Sequence, residues 1–265
     1  MKRWIPFVKT PPTVAVLRLS GAIGTGSRGA LTDRALAPLI EKAFRRGKPA
    51  AVALEINSPG GSPVQSSLIG ARIRRLAEEK NLPVIAFVED VAASGGYWLA
   101  ASADEIIADE SSVIGSIGVI SASFGAHVFL DRHGLERRVH TAGESKSMLD
   151  PFRAEKPEDV ERLKGMLEQI HENFIGHVKQ RRGSRLGDAP ELFTGEVWIG
   201  RRAQDLGLID GIGHMMPVLK ERYGKDVRLR RYEARRPIWR RFGATLAADA
   251  LAAIEERAEF ARFGL

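Results

Sequence analysis

The sequence predicts an α/β fold with a mostly parallel sheet of repeated βαβ units, and three observations lead to this class. Short apolar runs rich in β-branched residues alternate along the chain with longer segments of helical spacing. Connections of helical length between successive strands are typical of right-handed crossovers. The 265 residues are 44% hydrophobic and include no cysteine, so the core must form without disulfides. Cysteine nucleophiles and thiolate metal sites are therefore excluded.

The first half of the chain contains the clearest alternation of strands and helices. Apolar runs predict three strands, at Val14–Leu19, Ala50–Ile56 and Val84–Val88. Segments of helical spacing follow each strand, at Leu31–Arg46, Pro63–Lys80 and Ser94–Ala103. Thr32 and Asp33 are suited to begin the first of these helices, and Gly47 is suited to end it.

The second half predicts fewer elements. Helical spacing indicates helices at Pro157–Arg181 and near Arg201–Leu206. The amphipathic segment Phe242–Phe260 is interpreted as a C-terminal helical appendage. The predicted organisation is an N-terminal extension (1–13), a single domain (14–227) and a basic, partly helical C-terminal extension (228–265).

The net charge of +7 is concentrated near the C-terminus, where residues 228–241 contain seven arginines and one glutamate. No basic patch interleaved with aromatic residues occurs elsewhere in the sequence, so no nucleic-acid partner is expected. We interpret the basic segment as a surface for anionic lipid or a protein partner. The sequence contains no secretory-type apolar region near its start and nothing close to the about 18 apolar residues of a spanning helix. We expect a cytoplasmic protein, with peripheral contact at the inner face of the membrane.

Two glycine-rich turns follow consecutive predicted strands. The first is INSPGG at Ile56–Gly61, and the second is VAASGGYW at Val91–Trp98. The carboxyl ends of neighbouring parallel strands border one crevice, so we expect the two turns to face each other. The backbone N–H groups of Gly61 and Gly95 make a candidate oxyanion hole, because glycine lets the backbone approach a ligand. Ser94, where the second turn becomes a helix, is the candidate nucleophile.

A serine nucleophile requires a general base. None of the six histidines lies in a recognisable catalytic motif, and His133, in a DRHG turn, is interpreted as a surface residue. Lys146, among the small polar residues of AGESKS, is the candidate base. The pKa of a free lysine is near 10.4, so a lysine base at neutral pH requires that pKa to fall by about 3, or roughly 4 kcal/mol. Burial without a counter-ion lowers the pKa of a lysine in this way.

Five motifs, in this order, resemble signal peptide peptidase A (protease IV) and its SohB-type relatives, which are Ser-Lys peptidases of the Clp protease/crotonase fold. The motifs are INSPGG, AASGGYW, GSIGV (Gly115–Val119), AGESKS (Ala142–Ser147) and FTGEVWIGRRAQDLGLID (Phe193–Asp210). The resemblance extends over about 14–223 and implies a Clp protease/crotonase-like fold for this chain.

By the family pattern, each motif residue has an implied role. Ser94 matches the nucleophile, Lys146 the general base and Ser116 the serine whose hydroxyl orients the lysine. Gly61 and Gly95 match the oxyanion donors. The implied reaction is hydrolysis of peptide bonds through an acyl-enzyme, in signal-peptide-like, hydrophobic or unfolded segments, without a cofactor or a metal. In short members of the family the serine and lysine of one site come from adjacent protomers, so a homo-oligomer with shared sites is implied.

Plainer interpretations of the same residues stay open at this point. Ser94 could be a helix cap, Ser116 an ordinary turn residue and Gly60-Gly61 a tight turn without a ligand. The segment GTGSRG (Gly24–Gly29) has the spacing of a dinucleotide-binding loop, but the next strand ends without an acidic residue, so we interpret it as a plain loop.

Two other functions are compatible with the predicted fold. A crotonase-like acyl-CoA enzyme would use the same pair of backbone donors, but it would also need a carboxylate near the second turn and a coenzyme A pocket. A membrane-associated scaffold would keep the fold without catalysing a reaction.

Overall fold

A computed structural model describes residues 11–24, 30–143, 145–233, 257 and 260–265. The chain divides into two compact units. The first, called the sheet unit, contains residues 1–117 and 175–265, and the second, called the inserted unit, contains residues 118–174. Most of the predicted GTGSRG loop, and most of the predicted appendage at 242–260, lie outside the described residues.

The sheet unit is built on an eight-stranded sheet. Its strands are β1 Thr13–Ser20, β2 Ala51–Ser58, β3 Val84–Ala93, β4 Glu105–Ala108, β5 Val113–Gly115, β6 Val197–Ile199, β7 Gly211–Ile212 and β8 Arg228–Tyr232. The order is β6-β5-β3-β2-β1-β8, and β4 pairs with both β3 and β7. Only the β5–β6 pair is antiparallel among the described strand pairs. The predicted α/β class with a mostly parallel sheet is confirmed.

Seven α-helices accompany these strands in the described residues. They are α1 Asp33–Arg45, α2 Pro63–Lys80, α3 Gly95–Ala101, α4 His127–Arg132, α5 Pro157–Arg182, α6 Gly200–Asp205 and α7 Met215–Tyr223. The Thr32 hydroxyl accepts the Ala35 N–H at the start of α1, which is the cap that the sequence predicted. Pro63 occupies the first turn of α2, and Asn81 ends this helix in the left-handed conformation.

The middle of the sheet forms the core. Strands β1 and β2 are buried along most of their length, as expected for parallel strands that are covered on both faces. Leu219 of helix α7 packs into a cluster with Val14, Val16 and Ile85, all nearly inaccessible to solvent. Burial of each such aliphatic side chain contributes about 1.5–3 kcal/mol to the stability of the fold.

The sheet extends beyond its predicted limits in two places. The strand predicted at Val84–Val88 continues to Ala93, so it reaches the residue before Ser94. The strand at the C-terminal side of the sheet, β8, was not predicted. Its residues Arg228–Tyr232 are the first five of the predicted basic extension, and they pair in parallel with Thr13–Leu17 of β1.

The inserted unit contains α4 and the first part of α5. Among the described residues of 118–174, only Phe174 is buried. Local contacts include a hydrogen bond from the Ala126 N–H to the Pro151 carbonyl at 2.6 Å. Arg137 forms an ion pair with Asp150 at 3.3 Å. This unit has little internal core of its own.

Candidate active site

Ser94 lies between the end of β3 and the start of α3 in an unusual backbone conformation. Its φ of 51° and ψ of −122° are rarely adopted by a residue with a side chain, which costs about 1–3 kcal/mol. The Ser94 N–H donates to the Gly115 carbonyl at 2.8 Å, and the Ser94 carbonyl accepts the Trp98 N–H at 3.0 Å. Ser94 occupies the N-cap position of α3, but its half-buried side chain makes no capping hydrogen bond to this helix.

The two glycine-rich turns face each other, as predicted from the ends of β2 and β3. A Cβ atom built on Gly60 would lie 2.7 Å from the Gly95 nitrogen and 2.8 Å from the Ser94 Cβ atom. A Cβ atom built on Gly95 would lie 3.4 Å from the Gly61 nitrogen and 2.4 Å from the Ser66 hydroxyl of α2. The turns are thus in direct contact, and side chains at these glycines would separate them.

The N–H groups of Gly61 and Gly95 are both available in this contact region. Within the part of the chain that the structure describes, neither N–H donates to a protein acceptor. Gly61 is exposed, and Gly95 is the first residue of α3, whose N–H has no partner within the helix. Two unpaired donors beside a serine hydroxyl can bind a carbonyl oxygen that becomes negatively charged.

Ser116 follows β5 in the same way that Ser94 follows β3. The parallel register pairs Ala93 with Gly115, so the two serines come directly after paired residues on neighbouring strands. Ser116 also has a positive φ, 52°, and its N–H donates to the Glu196 carbonyl at 2.7 Å. Its side chain is half-buried. The sheet therefore brings Ser116 beside the Ser94 turn.

Helix α3 is fixed in place by side chains from later in the chain. The buried Tyr97 hydroxyl donates to the Leu208 carbonyl at 2.8 Å, and burial raises the pKa of Tyr97. The His177 ring stacks on Trp98 with centroids 4.3 Å apart, and its Nε2 lies 3.1 Å from the Trp98 carbonyl oxygen. Burial lowers the pKa of His177 to about 4, so the ring is neutral at pH 7 and donates through Nε2.

His177, whose ring supports α3, was not predicted from the sequence as a residue of the site. The available signal was its spacing on α5, where Arg181 lies four residues later on the same helix face. Arg181 donates to the carbonyl groups of Ala101 and Ala103, at the end of α3. Both side chains thus hold α3 from one helix.

Lys146 belongs to the inserted unit, whereas the two serines and two glycines of the candidate site lie in the sheet unit. The Lys146 side chain is exposed in the single chain, and its N–H donates to the Gly143 carbonyl at 3.2 Å in a turn. His133 is exposed too, and its Nδ1 contacts only the Phe129 carbonyl at 2.8 Å in the described structure.

Two kinds of feature are absent from the described residues. No group of three or more histidine, aspartate or glutamate side chains is arranged to hold a metal ion among them. None of the described helices is both long enough and apolar enough to cross a membrane.

Comparison with known proteins adds independent information. The model of peptidase family S49 matches residues 76–227, a range that includes Ser94, Gly95, Ser116 and Lys146. The whole chain is 48% identical to a Brucella melitensis protein named Na(+)/H(+) antiporter NhaA, and it covers 39% of that protein. Over 75% of its length it is 32% identical to the chloroplastic serine protease SPPA of Arabidopsis thaliana, of which it covers 29%. The chain therefore spans well under half of these relatives.

A solved structure shares the fold. It is a mutant of 1510-N, a membrane-bound stomatin-specific protease, and it aligns with 86% of this chain and 100% of its own. The TM-score is 0.52 and the sequence identity 16%, so this likeness supports the fold alone. It agrees with the predicted Clp protease/crotonase-like class.

Proposed function

This chain belongs to peptidase family S49, and from that membership we propose that it is a serine endopeptidase with Ser94 as nucleophile and Lys146 as general base. One observation carries the proposal. A serine in a strained conformation, whose side chain makes no capping hydrogen bond, lies in one of two contacting turns that present unpaired N–H groups. This arrangement fits acyl transfer, in which a hydroxyl attacks a carbonyl and donors bind the oxyanion.

The proposed reaction has two stages. Neutral Lys146 takes the proton of the Ser94 hydroxyl as Oγ attacks the carbonyl carbon of the substrate, and the N–H groups of Gly61 and Gly95 bind the resulting oxyanion. The tetrahedral intermediate collapses, the peptide C–N bond breaks, and the lysine ammonium gives its proton to the leaving amine. Water then hydrolyses the acyl-enzyme by the same proton transfers. Ser116 accepts or donates a hydrogen bond that orients Lys146.

Assembly is part of the proposal, because Lys146 is exposed in the single chain. A lysine acts as a base near neutrality when its surroundings disfavour the charged form, and burial without a counter-ion does so. The inserted unit also exposes large apolar side chains, with Phe124 92% exposed, Ile120 67% and Phe129 58%. Exposed apolar surface of this kind is typical of protein interfaces. We propose that a second copy covers this unit and that the serine and lysine of one site come from different copies.

The proposed substrates are peptide segments that are hydrophobic, signal-peptide-like or unfolded. The arginine-rich residues 235–241, which lie outside the described structure, are a proposed contact for anionic lipid at the inner face of the membrane.

Intact-mass spectrometry with a fluorophosphonate probe tests the nucleophile. We expect one covalent adduct per chain, located on Ser94 by peptide mapping, and no adduct on the Ser94→Ala variant. Ser111→Ala removes an exposed serine outside the site and should react like the native chain. Labelling of another serine, or equal labelling of Ser94→Ala, would reject the proposal.

A further inference from the structure

Strand β3 contains a bulge just before the proposed nucleophile. Ile56 of β2 lies opposite Val88 of β3, but Ser58, two residues later, lies opposite Ala92. β3 therefore advances four residues while β2 advances two, and the extra residues lie at about Glu89–Val91. Bulges of this kind bend a strand and change the direction of the side chains that follow.

The bulge changes the partner of β3. Before it, residues Ile85–Val88 pair with β4, and after it, residues Val91–Ala93 pair with β5. Because β5 leads directly into Ser116, the bend is what brings Ser94 next to Ser116. A straight β3 would continue beside β4 and would carry Ser94 away from that neighbour.

One side-chain hydrogen bond holds the bulge from the side of β2. Asn57 Nδ2 donates to Asp90 Oδ2 at 2.6 Å. Asn57 is also fixed through its carbonyl, which accepts the Gly21 N–H at 2.9 Å. The next residue, Ser58, accepts the Gly60 N–H through its hydroxyl at 3.2 Å, inside the turn that presents the Gly61 donor. Asn57 therefore links the proposed oxyanion turn to the bulge.

A buried hydroxyl holds the bulge from the opposite side. Ser112, which is 1% exposed and directly precedes β5, donates from Oγ to the Glu89 carbonyl at 2.5 Å. The Val88 carbonyl lies 3.4 Å from the same oxygen. The Ser112 Oγ atom also accepts the Asp109 N–H at 3.0 Å. The Glu89 carbonyl, just beyond the last β3 residue that pairs with β4, thus finds a partner in Ser112.

We propose that Asn57, Asp90 and Ser112 are positioning residues for catalysis: they fix the β3 bulge, and through it the placement of Ser94 against both Ser116 and the Gly61 turn. This inference rests on the proposed peptidase function. None of the three touches the reacting atoms, so their effect passes through the geometry of the site. A misplacement of about 1 Å at a reacting group can lower a rate about 10²-fold.

Kinetics of Ser94 labelling by the fluorophosphonate probe test this inference in the full-length chain. Asp90→Ala, Asn57→Ala and Ser112→Ala are each expected to lower the second-order labelling rate constant and the kcat for peptide cleavage about 10- to 100-fold, with little change in KM. Asp90 is exposed, so its removal should leave the fold intact. Asp90→Asn keeps an acceptor for Asn57 and should recover most of the rate.

The second-order rate constant for labelling distinguishes a misplaced Ser94 from a loss of folded protein. A variant that is merely less stable has a smaller labelled fraction at the end point, but each folded site reacts at the native rate. Glu105→Ala is the matched control, because it removes a side-chain pair with Arg222 at the amino end of β4, and it should label at the native rate. Native rate constants for all three alanine variants would overturn this inference alone. A native chain that does not label would reject the proposed function and this inference with it.

Discussion

The two halves of the proposed site differ in how completely the single chain builds them. In the sheet unit, the Ser94 turn is held by backbone hydrogen bonds, packed against the Gly60-Gly61 turn and supported by the His177–Trp98 stack. In the inserted unit, Lys146 is exposed, and Phe174 is the sole buried residue among those described.

This difference indicates where each half acquires its reactivity. The proposed nucleophile and oxyanion donors depend on strand register and tight turns, which one chain supplies by folding. A lysine base depends on exclusion of water, which the inserted unit does not supply in the described single chain. Assembly would complete the second half and leave the first unchanged.

The largest expected effect comes from mixing subunits that each lack one half of the proposed site. Lys146→Ala and Ser94→Ala should each lower peptide cleavage about 10⁴-fold or more, because either loss removes the dyad. Random mixing of the two inactive variants should restore roughly a quarter of the native activity, since a shared site receives both native residues in one case of four. Activity is measured on mixed oligomers whose composition is verified by mass.

A matched lysine controls for the loss of charge in the inserted unit. Lys156 is also exposed, and Lys156→Ala should keep native cleavage. Absence of any recovery in verified mixed oligomers would mean that both residues of a site come from one copy, and the contrast between the two halves would then need another explanation.

Two glycine-to-alanine variants, one in each unit, would test whether catalysis depends on the backbone of the sheet unit. Gly61 has a φ of 137°, and an added Cβ atom would lie 1.9 Å from the Ile23 carbonyl oxygen, so Gly61→Ala must move the turn. We expect kcat to fall about 10²–10³-fold through displacement of one oxyanion donor. Thermal unfolding run in parallel corrects the rate for any unfolded fraction.

The control is a glycine in the inserted unit. No atom lies within 4 Å of a Cβ built on Gly165, which is in α5. Gly165→Ala should therefore raise the free energy of unfolding by up to about 1 kcal/mol and leave cleavage unchanged. Equal kcat values for the two variants would show that the Gly61 donor contributes nothing to catalysis.

Local signals allowed much of the sheet unit to be predicted from the sequence. Helix α2 has the predicted bounds, Pro63–Lys80, because a capping serine, a proline in the first turn and an asparagine at the end mark both limits. Strands β1 to β3 are buried on both faces, so they read as continuous apolar runs. The contact between the two glycine-rich turns followed from a general rule for parallel sheets.

The elements that were missed depend on distant pairing. Strands β5, β6 and β7 contain only two or three residues each, and their conformation is set by neighbours far away in the sequence. Strand β8 contains three arginines and reads as a basic tail, yet it pairs at the edge of the sheet, where charged side chains reach solvent. The β3 bulge is likewise invisible locally, since it is defined by the pairing of β3 with β2, β4 and β5. The role of Lys146 stays a prediction.

The smallest expected effect concerns pH. It tests whether water is excluded from the His177 ring that packs against α3. Because burial lowers the pKa of His177 to about 4, from an ordinary value near 6.5, the folded chain favours the neutral ring. Its contribution to stability is complete above pH 6.5 and is lost as the pH falls from 6.5 to 4, by at most about 3 kcal/mol. His177→Phe keeps an aromatic ring against Trp98 but does not titrate. Urea unfolding at pH 7 and pH 4.5 should therefore show a smaller loss of unfolding free energy at acid pH than in the native chain.

The control is the exposed His140, and His140→Gln should lose as much unfolding free energy at acid pH as the native chain. Identical losses in the native chain and in His177→Phe would mean that water reaches the stacked ring, and the sheet unit would then be less preorganised than its hydrogen bonds indicate.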